Sequence, residues 1–201
     1  MTGAPDGHDT AAKRAAPTAH LGEHANVVFL DIDHTLHATD AYLSDGRLTA
    51  GSPASTLFEF TPILERLLAP YPQAVIILSS SWVHVLGYAF AVAQLPTASL
   101  QARVRGATFE SDDAADDGWS TLPRGTHVLR FVRRHKLKRW LAIDDDRKGF
   151  DGYESHLIHC QQGVGLGDKD VQQLFARRLE LMFGPPDSLS HTDASTPERL
   201  T

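Results

Sequence analysis

Asn26-Val27-Val28-Phe29-Leu30-Asp31-Ile32-Asp33-His34-Thr35-Leu36 is the stretch on which the fold turns. It opens as a run of β-branched and aromatic residues with no alternation, the pattern of a strand buried on both faces. The run stops at a carboxylate, and a second carboxylate follows two residues later. Three more runs of this kind occur: Ala74-Val75-Ile76-Ile77-Leu78 ends at Ser79, Trp140-Leu141-Ala142-Ile143 ends at Asp144, and Ser155-His156-Leu157-Ile158-His159-Cys160 ends near Gly163.

Helical patterns fill the gaps. Thr61-Pro62 is a helix start, and Ile63, Leu64, Leu67 and Leu68 then share one face. Trp82, Val85, Leu86, Ala89, Phe90 and Ala93 keep the i, i+3, i+4, i+7 spacing of a single amphipathic helix. A third helix is predicted from Gly125, with Val128, Phe131 and Val132 inward. A fourth is predicted from Asp168, with Val171, Leu174, Phe175, Leu179 and Met182 inward. Alternating strands and helices predict an α/β fold with a central parallel sheet, whose ligands bind where the strands end.

The chain has 201 residues, 42% hydrophobic and 22% charged, which suits one globular domain. The domain is expected at about 24–184, between tails at 1–23 and 185–201 that are rich in small and polar residues. A net charge of -6 gives no global attraction to nucleic acid or anionic membrane. No stretch has the apolar length of a secretory signal or a membrane span. Cys160 is the only cysteine, which excludes an intramolecular disulfide and a cysteine metal cluster and points to a cytoplasmic protein.

Sheet geometry would bring Asp31, Asp33, Ser79, Ser80, Asp144 and Asp145 together. Carboxylates so grouped repel one another and call for a cation. An all-oxygen donor set suits Mg2+, with Asp31, Asp33, Asp144 and Asp145 as candidate ligands. Other features have blander readings. Serines before Trp82 can cap a helix. Arg130, Arg133, Arg134, Lys136, Lys138 and Arg139 form a local basic patch that is equally a solvated helix face. His156 and His159 fall on opposite sides of their predicted strand. Gly163-Val164-Gly165-Leu166-Gly167-Asp168 lacks the spacing of a dinucleotide loop and reads as a turn into the last helix.

The segment VVFLDIDHTL resembles the first motif of the haloacid dehalogenase (HAD) superfamily, and the later motifs follow in order through residue 167. The combination with LSSSW, Arg124-Gly125, IDDD and Gly165-Leu166 is similar to the HAD domain associated with Swiss army knife RNA-repair proteins. His34 departs from that pattern, which usually has Gly there. The resemblance implies a HAD-like Rossmannoid three-layer sandwich. In it Asp31 is the nucleophile that forms an aspartyl-phosphate, and Asp33 the acid/base. Ser79, or Ser80 as alternative, would hold a phosphoryl oxygen. Arg124 would balance charge, with Lys136 or Lys138 as alternatives, and Asp144 and Asp145 would complete the Mg2+ shell beside an onlooking Asp146.

The interval from Leu36 to Thr61 is too short for a separate cap and carries a hairpin turn at Asp45-Gly46, so a small flap is expected. Leu95–Leu122, with its acidic run from Glu110 to Asp117, is expected as a surface loop. An open site of this kind admits large phosphorylated substrates, including nucleotides and nucleic-acid ends. The implied activity is a Mg2+-dependent phosphomonoester hydrolase. A phosphotransferase and a non-catalytic module binding RNA or a phosphorylated partner stand as alternatives, and oligomeric state is left open.

Overall fold

In a computed structural model, residues 14–113 and 118–185 are described. The terminal stretches 1–13 and 186–201, and 114–117 of the acidic run, lie outside the described residues.

The centre is a five-stranded, wholly parallel sheet in the order β5-β4-β1-β6-β7. Its strands are β1 (Asn26–Leu30), β4 (Val75–Leu78), β5 (Val104–Ala107), β6 (Arg139–Asp144) and β7 (Leu157–His159). Strand β1 occupies the middle, and its side chains alternate between two cores. Val28 and Leu30 join the cluster that holds Leu64, Phe175 and Leu179, whereas Val27 and Phe29 join the one that holds Val128 and Phe131. Helices α1 (Thr61–Leu68) and α6 (Lys169–Phe183) therefore cover one face and α5 (Arg124–Arg134) the other. Each buried Phe or Leu stabilises the sandwich by roughly 1.5–3 kcal/mol through transfer from water. This is the three-layer α/β architecture expected from the alternation of strand and helix.

The expected flap is present as a two-stranded antiparallel hairpin, β2 (Ala41–Ser44) and β3 (Arg47–Ala50). Its turn has Asp45 and Gly46 both at positive φ, the mirror-image turn that matches strand twist. Helix α6 begins where predicted, with Asp168 as N-cap accepting from the N–H groups of Asp170 and Val171.

Four expectations need correction. The helix predicted from Trp82 to Ala93 is two helices, α2 (Ser81–Leu86) and α3 (Tyr88–Gln94), separated by Gly87 at φ +100°. Beyond that break the apolar periodicity no longer describes one face. The region read as a surface loop contains helix α4 (Ala98–Arg103) and the edge strand β5. Glu110 and Asp113 of its acidic run are buried against Arg134, and His135 also meets Glu110. The strand predicted over 155–160 is only three residues long, because Glu154–His156 form a 3-10 turn. Finally, residues 14–19, expected within a tail, lie on the domain: Ala16 and Ala19 are buried, and the Ala16 N–H donates to the Phe109 carbonyl.

Arg134 is thus committed to buried acids rather than to the proposed basic patch. Lys136 and Lys138 lie at the end of α5 remote from Arg124. Among the described residues no helix is long and apolar enough to cross a membrane.

Candidate active site

Register assembles the site. Leu30 pairs with Leu78 on one side and Ile143 on the other, so the next residues, Asp31, Ser79 and Asp144, stand abreast where the strands end. The Asp31 N–H donates to the Ile143 carbonyl, and the Ser79 N–H donates to the Leu30 carbonyl, which keeps the three in line. Side chains at one level of neighbouring strands point to the same face. That arrangement gives a buried Asp31 flanked by a buried hydroxyl and a buried carboxylate.

One oxygen each from Asp31, Asp144 and Asp145 lies within 4.8 Å of the others. Opposite them Arg124 places Nη2 3.5 Å from Asp31 Oδ1 and Nε 3.5 Å from Asp144 Oδ2. Arg124 is therefore the cation beside these carboxylates, whereas Lys136 and Lys138 lie beyond the far end of α5. Its place depends on the next residue. A Cβ on Gly125 would come within 2.3 Å of the Gly149 carbonyl carbon, so only glycine lets the start of α5 dock on the loop after Asp146.

One guanidinium does not balance three clustered carboxylates. Burial pushes the Asp31 carboxyl up to about 7, against the pull of Arg124 and with Asp145 and Asp33 adding to the rise. Burial, reinforced by Asp31, also raises Asp144 well above the usual carboxylate range. Among the described residues Asp144 Oδ2 and Ser79 Oγ are buried without a hydrogen-bond partner. Buried oxygens with no hydrogen bond, Asp144 Oδ2 being held only by its 3.5 Å ion pair to Arg124, fit a hard divalent cation beside a phosphoryl group. Asp145 is held for that geometry by Gln162, whose Nε2 donates to Oδ2 at 2.7 Å, and by His159, whose Nε2 donates to its carbonyl at 2.9 Å. Asp146 uses its N–H on Asp144 Oδ1 and lines the cleft, so it supports the loop it was expected only to border.

Asp33 stands apart from the carboxylate cluster. Its Oδ2 accepts from the Trp82 indole at 2.8 Å, and its Oδ1 accepts from the Ala41 N–H and from His37 Nε2, both at 3.1 Å. The Phe58 N–H donates to His37 Nδ1, which places the imidazole proton on Nε2 and makes the buried, neutral ring a donor to Asp33. The cluster of candidate ligand oxygens contains Asp31, Asp144 and Asp145, while the Asp33 carboxylate is turned toward the hairpin and α2. Ser80 is likewise taken up structurally, since its side chain caps α2 through the Trp82 N–H.

His34 has φ +56°, a left-handed conformation that favours glycine, and its ring bonds to the Ala38 carbonyl and to Asp40. Gly165, also at positive φ, lets Leu166 donate to the Thr35 carbonyl; a Cβ there would meet that oxygen at 2.8 Å. The late Gly-Leu step thus packs on the Asp33 loop.

Sequence reasoning missed His37, Trp82 as a donor, His159 and Gln162. For His37 the signal was the i+4 spacing from Asp33. For Trp82 it was an indole directly after three polar residues, which its place on an apolar helical face concealed.

Residues 27–171 match the family model for the HAD domain in Swiss Army Knife RNA repair proteins. A search of curated proteins finds no match.

Proposed function

The chain belongs to the family of HAD domains in Swiss Army Knife RNA repair proteins, and from that premise we propose that it is a phosphomonoester hydrolase acting through an aspartyl-phosphate on Asp31. The superfamily is one of phosphatase-type hydrolases that generally use Mg2+. Supporting the specific reading is the separation of roles between two neighbouring carboxylates: Asp31 faces the acidic cluster and Arg124, whereas Asp33 is gripped by three donors outside it.

In this reading an Asp31 oxygen attacks phosphorus, and the bond from phosphorus to the ester oxygen breaks on the opposite side. Asp33 delivers a proton to the departing alkoxide. Asp33 then takes a proton from water as that water attacks the aspartyl-phosphate, which releases inorganic phosphate and returns Asp31 to a carboxylate and Asp33 to the acid form in which it began. Ser79 Oγ, buried and abreast of Asp31, donates to a phosphoryl oxygen. Arg124 offsets the charge that nucleophile and phosphate bring together. Mg2+ held by Asp31, Asp144 and Asp145 would supply the remaining positive charge.

The hairpin covers little of the acidic cleft, whose lining includes Asp31, Asp33, Arg124, Asp145 and Lys148. We therefore place the terminal phosphates of nucleotides and nucleic acids among its substrates. The test is phosphate release from a panel of phosphomonoesters, including nucleotides and 5′- or 3′-phosphorylated RNA, with and without Mg2+. Mg2+-dependent turnover that Asp31→Asn abolishes is expected; absence of turnover across the panel contradicts the reading.

A further inference from the structure

Asp33 lines two clefts. One is the acidic cleft already described; the other, of about 410 Å3, runs between the hairpin and α2. Asp33 and Ser81 belong to both, so the two meet at the group that protonates the leaving oxygen. Beyond that meeting point the lining changes character. Tyr42, Leu43 and Leu48 come from the hairpin and Trp82, Val85 and Leu86 from α2, and among the described residues Asp33 is the only charged one lining this cleft.

Five large apolar residues are strongly exposed among the described residues, and three of them gather here: Tyr42 at 59%, Val85 at 55% and Leu43 at 45%. Scattered exposure needs no explanation, but clustered exposure at the mouth of a site indicates something to be covered. In-line displacement puts the leaving alcohol on the side of phosphorus opposite Asp31 and within reach of Asp33. The body of that alcohol must then continue past Asp33. The third cleft at the site, lined by His84, Trp119, Leu122 and His127, shares Ser81, Arg124 and Asp146 with the acidic cleft and Val85 with the apolar one but does not reach Asp33, so it lies off that path.

Resting on the hydrolase reading above, we propose that the hairpin-α2 cleft is the leaving-group subsite, and that Tyr42, Leu43 and Val85 select phosphomonoesters whose alcohol places an apolar or aromatic group, such as a terminal nucleobase, beside the phosphate. A ring stacked on Tyr42, such as a nucleobase or a phenyl group, fits. A second phosphate or a small polyol finds neither a cation nor apolar contact to replace water.

The experiment compares kcat/KM for 2-phenylethyl phosphate and ethyl phosphate, and for a nucleoside monophosphate and ribose 5-phosphate, in wild type, in Tyr42→Ser/Val85→Ser and in Tyr42→Phe. The wild type favours the larger apolar member of each pair by at least about tenfold, the return on burying a few tens of Å2 of apolar surface. The double variant, checked for folding by circular dichroism, brings that ratio toward one through KM, and Tyr42→Phe keeps it. Turnover that ignores the alcohol's body, or a preference that survives the double substitution, overturns the subsite while leaving the hydrolase intact. Absence of turnover on every ester overturns both.

Discussion

The indole N–H of Trp82 reaches across 49 residues of sequence to donate to Asp33 Oδ2 at 2.8 Å. With His37 and the Ala41 N–H it aims the carboxyl group that we propose protonates the leaving oxygen. Trp82→Phe keeps the ring and removes the donor. A hydrogen bond to a charged group contributes roughly 1.5–3 kcal/mol, so turnover of 2-phenylethyl phosphate should fall by about 10- to 100-fold. Turnover of 4-nitrophenyl phosphate should fall far less, because its phenolate leaves with little need of a proton. Equal losses on both esters would mean that Trp82 supports the fold and not Asp33.

Gly125 is the hinge between catalytic geometry and packing. Alanine there meets the Gly149 backbone at 2.3 Å, and relieving that overlap moves either the start of α5 or the loop after Asp146. Gly125→Ala should cost about 1–3 kcal/mol in urea unfolding and lower turnover more than tenfold below its melting temperature, since Arg124 shifts with it. Gly152→Ala is the comparison. Its Cβ meets nothing within 4 Å, so the strain of φ +79° should lower stability without lowering turnover.

His127 gives the fold a sensitivity to acid. It stacks on Trp119 at 3.7 Å, its Nε2 donates to the Trp119 carbonyl at 2.8 Å, and burial holds it below the ordinary histidine value. The unfolded chain therefore takes up this proton first as pH falls. The associated stability is full above about pH 6.5 and is lost on descending through the folded value. Urea unfolding at pH 7.5 and 5.5 should show a wild-type loss on the acid side that His127→Phe, which retains the stack, reduces. An unchanged difference would assign the loss to other groups.

Most of the sheet was legible in the sequence because its strands are continuous apolar runs that end in polar residues. Asn26–Leu30 is five residues of buried strand, and in-register neighbours carry Asp31, Ser79 and Asp144 to one level without further specification. The turn at Asp45-Gly46 was legible because few residue pairs accept two positive φ values. What escaped depended on partners distant in sequence. Gly87 interrupts a helical period that continues on either side of it. Val104–Ala107 is short, contains Arg and Gly, and becomes a strand only by pairing with β4. Glu110 looks like surface until Arg134 and His135 are placed beside it. The grip on Asp33, which turns its carboxylate toward the hairpin and α2, was invisible for the same reason. His34, where glycine is usual, marks a backbone constraint that its own ring contacts offset.

The proposed mechanism requires a covalent bond between phosphorus and Asp31. Rapid acid quench of the protein turning over a 32P-labelled phosphomonoester with Mg2+, followed by peptide mass spectrometry, measures it directly. A hydroxylamine-labile phosphoryl group is expected on the peptide containing Asp31 and is expected to be absent from Asp31→Asn. Turnover without that label, or a label that persists in Asp31→Asn, would contradict that mechanism.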